Sequence, residues 1–333
     1  MSGGDILGGL CIRRDKIVAM VGEETSDSDL PIVRLTDCFE FPPPSEPRRP
    51  NRLAKIFSAS AGFFEHHNPK ALCISAHGPF ARGDDKMFGE NLNLENPAGL
   101  QDQNLFYHAA RHFGFLKNMP FRSVLDINAV ALAEFVALHE SGQFPFEPKS
   151  INSHGKTVAA VFFGMGVGGG ISIGGKVWNG RMHPEMGHIP VGRASGDTRS
   201  SLCQYHSPDC LHGLACADSF DLDENGKVNA QQAELLAEYI ARLAHVITFT
   251  IVPSTIALGG SLVWNNHHLI GLIREKFLSP FDGSSRKKEA YYTYPEKDHP
   301  NFLRIANRQS QALGTLYAAS DKAHDMRITP HDK

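Results

Sequence analysis

Residues 182–190, MHPEMGHIP, place His183, Glu185 and His188 close together, and CQYHSPDC follows at 203–210. Cys203, His206 and Cys210 have C-x2-H-x3-C spacing, and His188 adds a second imidazole. Two nitrogens and two thiolates match the number and softness of ligands that tetrahedral Zn²⁺ prefers. The alternative is a loop with surface histidines and free cysteines. We read the four as a closed, structural zinc shell whose surroundings orient Glu185. His183 is left outside that shell as a loop-packing residue.

Two further patterns could do chemistry. LDINAVALAEF puts Asp126 where an apolar strand gives way to a helix. A carboxylate there either caps the helix or points into a cleft and accepts a hydroxyl proton during phosphoryl transfer. Local sequence leaves both open. GMGVGGG, 164–170, lies between two apolar runs. Its glycines permit positive φ and close backbone approach, so successive N–H groups could form an anion nest; a tight hairpin would need the same residues. The pattern is neither a Walker loop nor a Rossmann loop, because it returns into a strand instead of opening a helix. IALGGSL, 256–262, ends a second strand in glycines. DLDENGKVNAQQ, 221–232, imitates a calcium loop with Asp221, Asp223, Asn225 and Gly226 in register. Gln232 stands where the bidentate glutamate is required, so a polar turn before a helix is expected.

The elements that must position these residues are legible as alternating strands and helices. IVAMV (17–21) and ALCIS (71–75) read as buried strands. Residues 51–67 have helical spacing, with Leu53, Ile56, Phe57, Ala61 and Phe64 on one side. Residues 103–116 and 230–250 also read as helices. SVLD turns from strand to helix after Asp126. TVAAVFF and ISI flank the glycine loop as a hairpin, STIALGG is a strand, LIGLIREKF a helix, and SQALGTLYAASDKAHD an amphipathic closing helix. FPPPSEPRRP (41–50) and 139–155 read as loops within domains, and 324–333 as a fraying tail. The pattern predicts α/β architecture with ligand loops at strand C-termini.

With 333 residues and 41% apolar content, the chain suits two domains with real cores. A net charge of -3 without a basic tract argues against nucleic acid or an anionic membrane as partner. The N-terminal apolar run is short and broken by charge, unlike a signal peptide. No apolar stretch reaches the ~18 residues of a membrane span. The expected location is therefore cytoplasmic, where disulfides are rare, which favours Cys203 and Cys210 as metal ligands.

The order of these pieces resembles the ROK family (repressor, open reading frame, kinase), and within it the fructokinase-like branch. The residues that carry the resemblance are AHGPF (76–80), LDINAVALAE (125–134), the glycine loop, HPEMGHIP (183–190), CQYHSPDCLHGLA (203–215), IALGGS (256–261) and SQALGTLYAA. It implies an actin-like (ASKHA, ribonuclease H-like) two-domain ATPase fold. Residues 1–125 would form an N-terminal α/β domain with a C-terminal helix at about 305–325 packing back on it, and 126–304 a larger α/β domain carrying the zinc loop. It implies ATP-dependent phosphorylation of a fructose-like hexose, with Mg-ATP and a sugar as ligands and a homodimer as the assembly. Asp126 would be the base; Gly78, Asn128, Glu185 and His212 would face the sugar. Lys16, Gly164, Gly166, Gly168 and Gly169 would hold phosphates, and Gly259 and Gly260 would lie by the adenosine.

The departures cluster on ligand contacts. The family's first phosphate loop has the form G-G-T-K after an acidic residue. Here Cys11 takes the acidic position, Arg13 and Arg14 replace the glycines, Asp15 replaces the threonine, and Lys16 alone remains. Met165 replaces a threonine in the second loop, and His212 replaces a glutamate after Cys210. The competing expectation is a catalytically impaired relative that binds a sugar or sugar phosphate or serves as a structural subunit. The chain starts at its first strand, so a repressor role is not expected.

Overall fold

A computed structural model describes residues 4–25, 28–44, 51–78, 109, 111–113, 119–145, 156–180, 183–203, 205, 209–279 and 301–324. The first sheet is built from β1 (Ile6–Ile12), β2 (Ile17–Glu24), β3 (Val33–Phe41), β4 (Ala71–Ala76) and β5 (Phe121–Leu125), with helices α1 (Asn51–His67) and α2 (Asp126–Glu140). The second has β6 (Thr157–Phe163), β7 (Val167–Ile173), β8 (Lys176–Val177), β9 (Thr255–Gly259) and β10 (Leu303–Ile305). Around these strands come α3 (Leu211–Ala215), α4 (Ala230–Ile251), α5 (Ser261–Asn265), α6 (Leu269–Leu278) and finally α7 (Ser310–Tyr317).

The sheets run β3-β2-β1-β4-β5 and β10-β9-β6-β7-β8. Read from opposite ends, both have the order third, second, first, fourth, fifth. β1 is antiparallel to β2 and parallel to β4; β4 and β5 are parallel, as are β6 and β9. The turn between β1 and β2 thus holds the same place in the first sheet as the glycine turn between β6 and β7 holds in the second.

Helices cover both faces of the first sheet, which is why β4 is buried throughout and apolar at every position but Ser75, rather than alternating. Leu10, Ile12, Leu72 and Ile74 pack on one face against Leu53, Ile56, Phe57 and Phe64 of α1. Leu7, Cys11, Cys73 and Val124 pack on the other against Ala129, Leu132 and Val136 of α2 and Leu316 of α7. The second core joins Val161, Phe163, Ile256 and Leu258 to Leu236, Ile240 and Leu243 of α4. α4 begins with a capping box in which Asn229 accepts from the Gln232 N–H and Gln232 from the Asn229 N–H. Gln232, at the twelfth position of the calcium-like stretch, is thus a helix-capping residue. Asp223 Oδ1 is occupied by the N–H groups of Asn225 and Lys227.

By packing, the chain divides into Met1–Ala137, Ser172–His183 and Gln309–Lys333 as one unit, and Leu138–Ile171 and Pro184–Arg308 as the other. The sequence boundary at 125/126 marks the start of α2. Packing carries most of that helix into the first unit, because its apolar face is needed to cover the first sheet.

α7 packs closely on α2 through glycine. A Cβ on Gly314 would collide with the Ala129 carbonyl oxygen of α2. Gly314→Ala is therefore expected to cost about 3 kcal/mol or more, since only backbone could yield. Gly62, on α1, has nothing within 4 Å of a built Cβ. Gly62→Ala should instead stabilise by up to ~1 kcal/mol. Urea midpoints at unchanged m-value would check both, and equal effects would refute the close-approach argument. Among the described residues no helix is long and apolar enough to cross a membrane. Most of the helix expected at 103–116, residues 79–80 of the AHGPF motif, and His206 lie outside the described residues.

Candidate functional site

In the second unit, a 3-10 turn at Met186–His188 carries His188, whose N–H donates to the Glu185 carbonyl at 3.0 Å. Gly187 lets this turn press on β7, because a Cβ there would collide with the Val167 carbonyl. Pro190 and Cys210 form an antiparallel bridge, and the Leu211 N–H donates to the Ile189 carbonyl at 3.0 Å. The Leu202 N–H donates to the Gly213 carbonyl at 3.0 Å, bringing Cys203 in beside α3. His188 Nδ1 consequently lies 3.7 Å from Cys203 Sγ and 3.9 Å from Cys210 Sγ, and the three ligand atoms fall within 4.8 Å of one another. Tetrahedral bonds of ordinary zinc length would set nitrogen and sulfur about 3.5 Å apart, so this donor set fits a metal of that size. Burial pushes the Cys210 thiol up, and the neighbouring Cys203 adds to the effect.

The loop leading to Cys203 is pinned by a buried carboxylate. Asp197, its side chain 1% exposed, receives Arg199 Nε at 2.9 Å, Arg199 Nη2 at 3.0 Å and the Tyr239 hydroxyl at 2.5 Å. The Arg199 guanidinium holds the Asp197 carboxyl well below the usual carboxylate range, against the opposing push of burial, with help from the Tyr239 hydroxyl. A lowered carboxyl pKa gives stability that is present above the unfolded value near 4 and is lost as pH falls through the folded one. Asp197→Asn is therefore expected to cost about 2–3 kcal/mol at pH 7, with Arg199 left partly hydrated, and to cost progressively less below pH ~4. Denaturant titrations at pH 7 and pH 3 check this; a penalty that grows in acid would overturn it.

The glycine turn, Gly164–Gly166, is closed by the Gly164 N–H donating to the Gly166 carbonyl at 2.9 Å. None of the glycines in 164–170 has positive φ. The freedom expected there is used instead for clearance. A Cβ on Gly169 would lie 2.5 Å from Met186 Sδ, and one on Gly166 would lie 3.1 Å from His212 Cε1. Gly168 is half-buried and has nothing within 4 Å of a built Cβ. His212 ties this turn to the metal-type corner: Nδ1 accepts the Val167 N–H at 3.4 Å, and its ring stacks on His188 with centroids 5.1 Å apart. Gly259 ends β9 and Gly260 follows it, and a Cβ on either would collide with Phe162 or Phe163 of β6. Gly260, at φ 88, also turns the chain into α5, whose Ser261 Oγ lies 3.4 Å from a Cβ built on Gly164. Glu185 is exposed beside the 3-10 turn.

The first unit holds Asp126 at the start of α2. Its Oδ1 accepts the Ile127 N–H at 2.8 Å, and its Oδ2 lies 3.5 Å from His77 Nδ1. Capping and an outward-facing oxygen therefore coexist. Asn128 is buried and donates to Asn179 Oδ1 at 2.9 Å; Gly78 is buried just after β4. In the β1–β2 turn, Arg13 grips Asp15 through Nε at 2.9 Å and Nη2 at 3.1 Å, and Lys16 Nζ meets Glu40 at 2.7 Å. Cys11 is fully buried beside Ser75 and Thr315, and burial pushes its thiol up to about 11. Sequence reasoning passed over His77 and Asn179. His77 stood in the AHGPF motif, where the glycine drew the attention, and Asn179 follows β8 with no motif around it.

The chain matches the ROK family over residues 92–288. A fructokinase from Pediococcus pentosaceus is 30% identical over 235 residues, covering 69% of this chain and 75% of that protein. Among solved structures, a ROK hexokinase from Thermus thermophilus gives a TM-score of 0.64 at 20% identity, over 94% of this chain and 97% of its own. A ROK glucokinase from Streptomyces griseus, in complex with glucose and AMPPNP, gives 0.62 at 21% identity, over 94% and 99%.

Proposed function

The chain belongs to the ROK family, with the actin-like α/β fold of its sugar kinases, and from that premise we propose that it phosphorylates a fructose-like hexose from Mg-ATP, with Asp126 as general base. The observation that carries the reading is Asp126 itself. Its carboxylate begins α2, one oxygen is fixed by the Ile127 N–H and the other faces His77. Phosphoryl transfer asks a protein mainly for positioning and charge stabilisation, plus one group to take the hydroxyl proton. The likeness to a fructokinase supports the sugar class. The clear space beside Gly168 and the glycines that end β9 or directly follow β6 and β9 support phosphate and nucleotide contacts from Gly164, Gly166, Gly168, Gly169, Gly259 and Gly260. Asn128, Glu185, Gly78 and His212 are assigned to the sugar.

We assign His188, Cys203 and Cys210, with His206 as fourth ligand, to a structural zinc ion. The sulfur–nitrogen spacing supports this. Zinc there would hold both thiols as thiolates and fix the loop at low flexibility.

A second reading has its own observation. Two of the three cations of the β1–β2 turn are paired within the first unit, Arg13 to Asp15 and Lys16 to Glu40. Cys11, protonated at neutral pH, does not fit the contact that an acidic residue would make to magnesium-bound water. Such a protein would bind a sugar or sugar phosphate without transferring phosphate. The magnitudes favour the kinase reading, because pairs this exposed are worth at most ~1 kcal/mol and a phosphate can displace them. The test is incubation with Mg-ATP and a panel of hexoses, including fructose, mannose, glucose and N-acetylated amino sugars, read by mass spectrometry. Sugar phosphate supports the kinase; folded protein that yields none from any sugar supports the binding reading.

A further inference from the structure

The surroundings of Asp126 contain a group to which the proposed reaction gives no role. β4 and β5 are parallel, with Ala76 opposite Leu125. The residues that follow each strand therefore emerge side by side at the same sheet end: His77 after β4 and Asp126 after β5. The register accounts for the 3.5 Å between His77 Nδ1 and Asp126 Oδ2. Both are reachable by water, the His77 side chain 48% and Asp126 29% exposed. The carboxylate is thus addressed from both oxygens, by the Ile127 N–H on Oδ1 and by the imidazole on Oδ2.

Resting on the reading of Asp126 as base, we propose that His77 is a positioning residue: its neutral imidazole donates Nδ1–H to Asp126 Oδ2 and fixes the plane of the carboxylate. A carboxylate held at one oxygen can still rotate about its Cβ–Cγ bond; two donors stop that rotation. Each oxygen keeps a lone pair, so the proton of the sugar hydroxyl has a fixed target. The separation is longer than an ordinary hydrogen bond, as contacts of this kind often are before a substrate closes them. Small displacements of a reacting group carry large rate penalties, up to about 10²-fold per ångström.

The first test compares His77→Leu and His77→Asn, assayed with the sugar that the unaltered protein phosphorylates. Asparagine can present an amide N–H near the position of Nδ1; leucine cannot. His77→Leu should lower kcat by about 10- to 100-fold with KM for sugar and ATP little changed, and His77→Asn should recover most of the loss. A purely packing role would move stability and leave kcat alone, and either an unchanged kcat in the leucine variant or no recovery with asparagine would overturn the proposal. The second test needs no activity. Side-chain ¹⁵N NMR of the full chain should find neutral His77 protonated on Nδ1, reverting to Nε2 in Asp126→Ala. The same tautomer in both proteins would rule out the hydrogen bond. If no sugar is phosphorylated at all, the kinase reading fails in the assay, while the tautomer still decides whether His77 addresses Asp126.

Discussion

Asp126→Asn is expected to lower kcat for sugar phosphorylation by about 10²- to 10⁴-fold, the range that a positioned general base supplies. The substitution isolates the chemistry. Asparagine keeps the volume and the carbonyl oxygen that receives the Ile127 N–H, so the start of α2 remains capped. What disappears is the negative charge and the ability to hold a proton. The helix loses a favourable charge at its N-terminus, worth at most about 1 kcal/mol at a partly exposed site. The thermal midpoint should therefore shift by only a few degrees while turnover collapses. ADP release and sugar phosphate, followed together, would measure it. A variant retaining a tenth or more of the original kcat would remove Asp126 from the role of base.

The second large effect concerns the metal-type corner. Purified protein should carry about one zinc per chain, as a closed four-ligand site requires. Cys210→Ser should lose nearly all of it. The consequence for folding should be local, because two different things hold this region. Backbone pairing joins Pro190 to Cys210 and Leu202 to Gly213, and the Asp197–Arg199–Tyr239 group pins the intervening loop. Neither uses a metal. The core of the second unit, centred on α4 and β6, also stands without it. Hydrogen exchange should then show faster exchange at Leu202 and Leu211, with α4 unchanged. The result that would sink the assignment is zinc far below one per chain in stable, unaltered protein.

The sequence announced some of this architecture and concealed the rest. Helix α1 was legible at both ends because its apolar residues repeat at helical spacing and the other sides are polar. β4 was legible because a strand covered on both faces is apolar along nearly its whole length, here at every position but Ser75. β3 was not: it is an edge strand, VRLTDCFEF, exposed along nearly its whole length, and its alternation in VRLT and FEF is broken at Asp37 and Cys38. The cysteine and histidine spacing singled out three ligand-type side chains that lie within 4.8 Å of one another. The glycine loop was found, but the use of its glycines was not, because composition cannot separate positive φ from clearance against Met186 and His212. His77 escaped for a different reason. It meets Asp126 only through the register of two strands separated by a long stretch of chain.

The place of α7 has a consequence for synthesis. Leu316 belongs to the core of the first unit, and α7 lies over Gly9 of β1. The first unit's sheet is thus translated early, yet the helix that completes its covering emerges near the end. Between Ala137 and Gln309 the ribosome makes all of the second unit and the Ser172–His183 piece of the first. At 5–20 residues per second that delay is roughly 10–35 s. For that interval the nascent first unit has one apolar face short of its last cover, and it is then that a chaperone would find most to hold.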